Sequence, residues 1–531
     1  MSNLDKVFQS GDADTIWQKY CGFLDLSLDE FMKIQEELLL QQIEVVADSP
    51  LAKRFMPERP HTVDEFRASV KFTTYDDYAD DFRAKNNEIL AVKPLHWVRT
   101  SGTGGNPKWV PFTKEFIEMS TIYNISTLIL SCAKRRGEVN VGLGCRALQV
   151  LPPEPYGAIY HVRPVVEKAG VVLIPDPDDP KYGDFAERMR AGFGIALGSG
   201  VDILASLSSV LVKMGERFTD SSQGMKFSWG MLKPRVAFRL TRAWLRSKLE
   251  HRSMLPKDLW PLKGLVVYGM DTDIYRDTLI HYWGQVPFQM YLATECGMIG
   301  TQAWNKKDMT FTPSASFREF IPEEESRKSR EDPSYQPSTV LVDELEPGQI
   351  YEVVLTSTMG MPFLRYRIGD LIQVTALEDE ETGIRLPQFR FYSRADDLID
   401  MSGFARLDEK AVWQIMTNAG VRFEDWAVRK EFPDVTPILH LYIEPKEQVD
   451  AKELAGRLQD ELLKNPDYKD LHTLLQDHPL QVTVLSSGTF MRYYEQKRDE
   501  GADLGHLKPK HMSPSDTVIA DLLRHSAAQQ R

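Results

Sequence analysis

Thr100-Ser101-Gly102-Thr103-Gly104-Gly105-Asn106-Pro107-Lys108 is dense in hydroxyls and glycine, ends in a lysine, and lies between two short apolar runs. Its three glycines let the backbone turn tightly and bring N–H groups close to an anion. Ser101 and Thr103 add hydroxyl donors, and Lys108 adds a point charge suited to phosphate. A polar hairpin turn is the plain alternative. The Walker A loop does not fit: it needs Gly-Lys-Ser/Thr opening a helix, whereas Pro107 precedes Lys108 and Trp109 follows it. A dinucleotide fingerprint also opens a helix, and Trp109-Val110-Pro111-Phe112 reads as a strand. The stretch therefore reads as a phosphate loop held between strands.

Such a loop resembles the first signature of the adenylate-forming superfamily, [ST]-[SG]-G-[ST]-[TSG]-G-x-P-K, at every position from 100 to 108. The later signatures follow in order. Tyr291-Leu292-Ala293-Thr294-Glu295 resembles Y-G-x-T-E, with Leu292 where glycine is usual, which implies altered geometry on the adenine side. Tyr366-Arg367-Ile368-Gly369-Asp370 resembles Y-R-x-G-D. Arg394 with Asp396-Asp397 resembles the R-x-D hinge between a large and a small domain. Taken singly, these read as a strand end, a Gly-Asp turn and a solvated turn.

Further stretches are similar to one branch, the Gretchen Hagen-type (GH-three) acyl acid–amido synthetases. Residues 311–322 resemble its F-E-F-[IL]-P segment, and 65–78 its Y-D-D stretch, with Lys71 where proline is usual. Gly488-Thr489-Phe490, Tyr494, Gly501-Ala502 and His506-Leu507-Lys508-Pro509-Lys510 resemble its ending, one residue shorter between lysine and proline. On these motifs the chain is identified as a microbial-type member, and the likeness covers most of its length.

The resemblance implies an α/β adenylate-forming fold. A large N-terminal domain of α/β subdomains, residues 1–394, would hold ATP and the acyl acid. A small mobile C-terminal domain, 395–531, would carry the catalytic Lys508. ATP contacts are implied for Thr100, Ser101, Gly102, Thr103, Gly104, Gly105, Lys108, Tyr291, Ala293, Thr294, Asp370 and Arg394. Thr294 would touch the α-phosphate, Asp370 and Arg394 the ribose, and Glu295 would hold Mg²⁺. Lys508 would reach both the attacking carboxylate and the α-phosphate. A solvent-exposed lysine in a basic tail is the plain alternative.

The implied reaction joins a small carboxylic acid to an amine, an amino acid by family habit, through acyl-AMP with release of pyrophosphate. A thioester ligase using coenzyme A or a carrier protein is one alternative, and a degenerate nucleotide binder is another. Tyr123, Tyr156, Tyr160 and Trp304 are candidates for the acyl pocket, with core packing as the equal alternative. The sequence leaves the acid, the amine and the oligomeric state open.

Composition sets limits consistent with this. At 531 residues the chain exceeds one core, so at least two domains are expected. Its 42% hydrophobic and 27% charged content suit a globular chain. A net charge of −13 argues against a nucleic-acid binder. Cys21, Cys132, Cys145 and Cys296 form no CxxC pair, so a reducing cytoplasm is expected, with Cys296 an inert buried thiol. No signal-type h-region opens the chain and no apolar window approaches a membrane span, so no membrane partner is expected.

The periodicity predicts helices over 28–46, capped by Ser27 and Glu30, and over 114–135, 202–215 and 236–249. The basic cluster of the last, Arg239, Arg242, Arg246 and Lys248, reads as a solvated face. Strands are predicted over 147–151, 171–174, 265–268 and 349–356, and a solvated loop over 321–336. After Arg394 a second α/β pattern restarts, with strands over 439–443 and 480–485 and helices over 452–463 and 516–525.

Overall fold

Ser27 and Glu30 open the first long helix. Glu30 N–H donates to Ser27 Oγ at 3.3 Å and Ser27 N–H donates to Glu30 Oε2 at 2.8 Å, so two orphan donors are satisfied reciprocally. The helix runs Leu28–Val46, as predicted. Two of its buried side chains are amides. Gln35 Nε2 donates to Pro313 O and Ser316 O, and Gln42 Nε2 donates to Met361 O. Buried polar groups must be paired, and these pairs tie the helix to backbone some 280 to 320 residues away, as the sequence separations of 278, 281 and 319 show.

The computed structural model describes residues 4–100, 108–149, 154–179, 181, 185–223, 234–268, 272–332, 334–395, 399–401, 405–407, 409–431, 438–464, 468, 480–499 and 511–527. The chain divides into two units, Met1–Tyr392 and Ser393–Arg531.

In the first unit, β1 (His96–Thr100) and β2 (Lys108–Phe112) pair antiparallel. The strands β3 (Arg146–Leu148), β4 (Val172–Ile174), β5 (Ile203–Leu207), β6 (Gly264–Tyr268) and β7 (Phe288–Ala293) pair in parallel. Parallel neighbours need crossovers, and helices such as Gly157–Ala169, Phe185–Ser199 and Thr272–Trp283 supply them. Antiparallel strands extend the same sheet: β8 (Gly297–Gln302), β9 (Met309–Phe311), β10 (Ser316–Pro322), β11 (Ile350–Ser357), β12 (Tyr366–Ala376) and β13 (Gln388–Arg394). Among the described residues this sheet has eleven strands, ordered β10-β11-β12-β13-β9-β8-β7-β6-β5-β3-β4.

Its centre is covered on both faces. Ile203, Ala205 and Val266 join one core cluster, whereas Leu204, Leu265 and Val267 join another. Successive strand residues point to opposite faces, so a continuous apolar run is what a doubly covered strand requires.

Two predicted elements differ. The 202–215 window divides into β5 and the helix Ser208–Gln223, because its first half is a β-branched and apolar run consumed by the sheet. The 321–336 window finishes β10 and then forms the helix Glu323–Glu331. Glu323, Glu324 and Glu325 in its first turn and Lys328 and Arg330 in its last complement the helix dipole, a signal masked by the polarity of the segment. The basic helix runs Pro234–Leu249 and buries only Val236, Ala243 and Ser247, leaving Phe238 and Leu249 exposed beside its arginines.

In the second unit, β14 (Ile399–Met401) and β15 (Ala405–Leu407) pair antiparallel. A three-stranded sheet holds β16 (Phe423–Glu431) antiparallel to β17 (Ile438–Pro445), and β17 parallel to β18 (Leu480–Val484). Alternation again assigns the faces. Trp426, Val428, Leu439, Leu441 and Ile443 pack with the helices Glu409–Asn418 and Ala451–Leu462. Ala427 and Tyr442 pack with Thr489–Asp499 and Asp516–Ala527.

His511 fastens this unit. Its Nδ1 lies 2.5 Å from Glu409 Oε1, its Nε2 lies 2.8 Å from Asp425 Oδ1, and its ring stacks 4.5 Å from Trp426. Burial opposes the charged ring, but hydrogen bonds to Asp425 and Glu409 outweigh it and hold the ring up at about 10. A pKa raised on folding stabilises fully below the unfolded value of about 6.5. The contribution is lost as pH rises toward about 10. Denaturant titrations of the second unit are therefore expected to show stability falling over that interval, and His511→Ala is expected to remove that pH dependence and to cost about 3 kcal/mol.

Candidate active site

The antiparallel pairing of β1 and β2 sets Lys108 opposite Thr100, at the two ends of the glycine-rich stretch. Lys108 Nζ lies 3.9 Å from Glu295 Oε1 and 4.9 Å above the Tyr75 ring. At that distance the pair is electrostatic rather than hydrogen-bonded. Tyr75 braces the strand: its hydroxyl donates to Trp109 O at 3.1 Å and accepts from Trp109 N at 2.6 Å.

Glu295 follows the end of β7 and is 7% exposed. Tyr366 donates its hydroxyl to Glu295 Oε1 at 3.0 Å, and Ser357 donates to Glu295 O at 2.8 Å. Burial and the neighbouring Glu295 carboxylate push the Tyr366 phenol far up, so it remains a donor. Thr294 is half-buried, and Gly157 packs against it: a Cβ on Gly157 would stand 3.5 Å from Thr294 Cγ2.

Asp370 is aimed by a bulge. Arg367 pairs with Val354 and Leu371 with Glu352, so Ile368, Gly369 and Asp370 stand opposite Val353 alone. Gly369 takes φ +80°, the left-handed region that a bulge of this kind favours and that glycine adopts without strain. Tyr291 donates its hydroxyl to Asp370 Oδ2 at 2.7 Å, and both residues are buried. A second register shift, between Tyr291 and Leu292, lies beside it on β7.

The structure thus brings Lys108, Thr294 and Glu295 into one neighbourhood with Tyr75 and Tyr366, and joins Tyr291 to Asp370. Ala293 is buried at the end of β7. Ser101, Gly102, Thr103, Gly104, Gly105 and Lys508 lie outside the described residues, as do the side chains of Thr100 and Arg394. Tyr75, Ser357 and Tyr366 were given no role by sequence reasoning. Two of them lie inside the motifs, Tyr75 directly before Asp76-Asp77 and Tyr366 four residues before Asp370, and that position was the available signal.

Other motif residues build the frame. Arg367 of the Y-R-x-G-D stretch forms two 2.8 Å bonds to Glu352. Glu319 of the 311–322 segment accepts from Arg365 Nε at 2.9 Å and Nη2 at 2.7 Å. Cys296 is buried with Sγ 3.5 Å from Ser357 Oγ, and burial pushes its thiol up, which removes it as a nucleophile. Tyr123 accepts from Ser314 N–H at 3.0 Å and Trp304 packs 5.5 Å from Trp17, so both serve the core.

Residues 22–142 match the GH3 family N-terminal domain and residues 309–394 the GH3 family central domain. Both matches are to domains of the GH3 family. Curated GH3 relatives run its whole length. A jasmonoyl–L-amino acid synthetase of Oryza sativa subsp. japonica is 21% identical over 94% of this chain and 95% of its own. Another from Nicotiana attenuata is 23% identical over 99% and 98%. An indole-3-acetic acid–amido synthetase of Arabidopsis thaliana is 22% identical over 90% of each. Among solved structures, a GH3.15 acyl acid amido synthetase in complex with 2,4-DB superposes with a TM-score of 0.69 at 16% identity, covering 95% of each chain. A 2-hydroxyisobutyryl-CoA ligase in complex with its acyl-AMP superposes at 0.58 and 13% identity, covering 94% of this chain and 92% of that one. These likenesses show the α/β adenylate-forming fold for this chain.

Proposed function

We propose that this chain is an ATP-dependent acid–amino acid ligase, which adenylates a small carboxylic acid and passes the acyl group to an amine. The observation that carries the reading is Glu295, a buried carboxylate fixed by Tyr366 beside Thr294 and 3.9 Å from Lys108. The full-length curated relatives, all named as amino acid synthetases of acyl acids, support the same reading.

The first step brings two anions together, a carboxylate and the α-phosphate of ATP. Catalysis is then positioning and charge neutralisation. Lys108 holds the β- and γ-phosphates with the glycine-rich loop of Thr100–Gly105. Thr294 donates to the α-phosphate, Asp370, oriented by Tyr291, accepts from the ribose hydroxyls, and Arg394 donates to the ribose. Lys508 bridges the attacking carboxylate and the α-phosphate from the small domain, 395–531, while 1–394 holds ATP and the acid. The products are acyl-AMP and pyrophosphate, and attack by the amine nitrogen on the acyl carbon then expels AMP.

Glu295 fits Mg²⁺. Among the described residues no group of three or more His, Cys, Asp or Glu side chains gathers to hold a metal. A lone carboxylate suits Mg²⁺, which takes one or two carboxylates and completes its shell with substrate phosphates and water. When bound, the ion supplies neutralisation of phosphate charge.

Among the described residues no helix is long and apolar enough to cross a membrane. All four cysteines are buried and unpaired, which supports a reducing cytoplasm as the working compartment. The test of the function is ATP–pyrophosphate exchange with Mg²⁺ across a panel of carboxylic acids. Exchange that depends on one class of acid is expected; ATP binding without exchange for any acid contradicts the reading.

A further inference from the structure

Two helices meet beside Thr294. The helix Gly157–Ala169 begins against it, because the missing Cβ of Gly157 leaves space 3.5 Å from Thr294 Cγ2, 3.6 Å from Val98 Cγ2 and 3.8 Å from Phe112 Cζ. His161 is one turn further along the same helix face, since residues four apart lie above one another. Its ring centre stands 5.1 Å from that of Phe112 and 6.0 Å from that of Phe116. The second helix, Lys114–Cys132, contributes Ser120, whose Oγ is 2.8 Å from His161 Nδ1. Asn124, one turn on, donates its Nδ2 to Ser120 O at 2.9 Å.

Ser120 therefore fixes one ring nitrogen and the ring plane. The other nitrogen is the anomaly. His161 is 8% exposed, and its Nε2 has no hydrogen-bond partner among the described residues. Buried polar atoms are nearly always paired, and an unpaired one weakens the fold. Burial pushes the ring down to about 4, so it is neutral at physiological pH. A neutral imidazole nitrogen pairs with a hydroxyl or a carbonyl oxygen. Phenylalanine walls on this side disfavour a charged group, which would lose its hydration without a counter-charge.

We propose that His161 Nε2 is a specificity element of the acyl-acid site, and that the donor acid carries a neutral hydroxyl or carbonyl oxygen a few bonds beyond its carboxylate. The inference rests on the ligase reading, which puts the α-phosphate at Thr294 and so brings the attacking carboxylate close to it. Four residues, about 6 Å of helical rise, separate His161 from Gly157, which packs against Thr294. Such a device discriminates strongly. An acid lacking the oxygen leaves the buried nitrogen unpaired, whereas a purely apolar pocket tells acids apart only weakly.

The experiment is ATP–pyrophosphate exchange by the full chain with acids matched in skeleton and differing by one oxygen: levulinate against valerate, para-hydroxyphenylacetate against phenylacetate, and para-hydroxybenzoate against benzoate. In the wild type the oxygenated member of an accepted pair is expected to lead by about tenfold or more in kcat/KM. His161→Phe is expected to bring the ratio close to one through a raised KM for the oxygenated acid, with the KM for ATP unchanged. His161→Gln, which keeps a polar tip, is expected to retain part of the preference and serves if the phenylalanine variant does not fold. A preference that is absent in the wild type, or that survives in His161→Phe, overturns the assignment and leaves Nε2 paired to an ordered water only. Exchange with no acid at all overturns the ligase reading instead, and this inference with it.

Discussion

Glu295→Gln is expected to slow acyl-adenylate formation by about 10²–10³-fold while leaving the fold intact, as for removal of one preorganised charge-stabilising group. The substitution keeps the shape and an oxygen for the Tyr366 hydroxyl, which now donates to Glu295 Oε1 at 3.0 Å. It removes the negative charge that faces Lys108 and that binds the divalent ion in the proposed reaction. The effect should fall on kcat for pyrophosphate release, because charge neutralisation matters most as the carboxylate and the α-phosphate approach. Steady-state pyrophosphate release and thermal unfolding, measured together, check this. Unchanged turnover would remove Glu295 from the machinery, and equal losses of turnover and melting temperature would make it a structural residue.

The largest effect on stability is expected at Glu319. Glu319→Ala should cost about 3–5 kcal/mol, the usual result of removing one partner from a buried ion pair. Glu319 is 1% exposed and Arg365 5%. Besides its two bonds to Glu319, the Arg365 guanidinium donates to Arg67 O at 2.7 Å and Val70 O at 2.8 Å. Arg365 also holds φ at +39°, an unfavourable value that its contacts must sustain. Alanine at 319 would leave the buried guanidinium with two carbonyls and the Phe72 ring in place of its carboxylate partner. Urea titration of the full chain reads the result as a lowered midpoint of the first transition. A shift of less than about 1 kcal/mol, the scale of an exposed pair, would show that water reaches Arg365.

These two glutamates show what the sequence could and could not reveal. Glu295 was legible because its role depends on a short run, Tyr291 to Glu295, whose residue types fit one chemistry. Glu319 lies in a segment equally tied to the family, yet its structural use depends on Arg365, 46 residues away and just before β12. No local pattern encodes such a partner. Tyr366 opens its motif, but its bond to Glu295 closes across 71 residues, so only the fold assigns it.

Secondary structure divides in the same way. The helix Leu28–Val46 was readable to the residue because its capping box is local chemistry. The 202–215 window failed because a short apolar run is ambiguous until the sheet claims it; Ile203–Leu207 pairs with β6 over five residues. The helix Glu323–Glu331 was hidden because its order comes from Ser326 and Glu325, which bond Glu352 and Tyr335 in the folded state. Nothing in the sequence marks His161. One histidine among apolar residues is ordinarily a satisfied core side chain, and only the absent partner at Nε2 sets it apart.

The central claim is amide formation, and the most direct measurement is AMP production with Mg-ATP and an accepted acid, with and without pooled amino acids or coenzyme A. AMP turnover stimulated by amino acids and unmoved by coenzyme A, with an acyl–amino acid conjugate among the products, is the result expected here. Stimulation by coenzyme A alone, with no conjugate formed, would contradict the account and make the chain a thioester ligase.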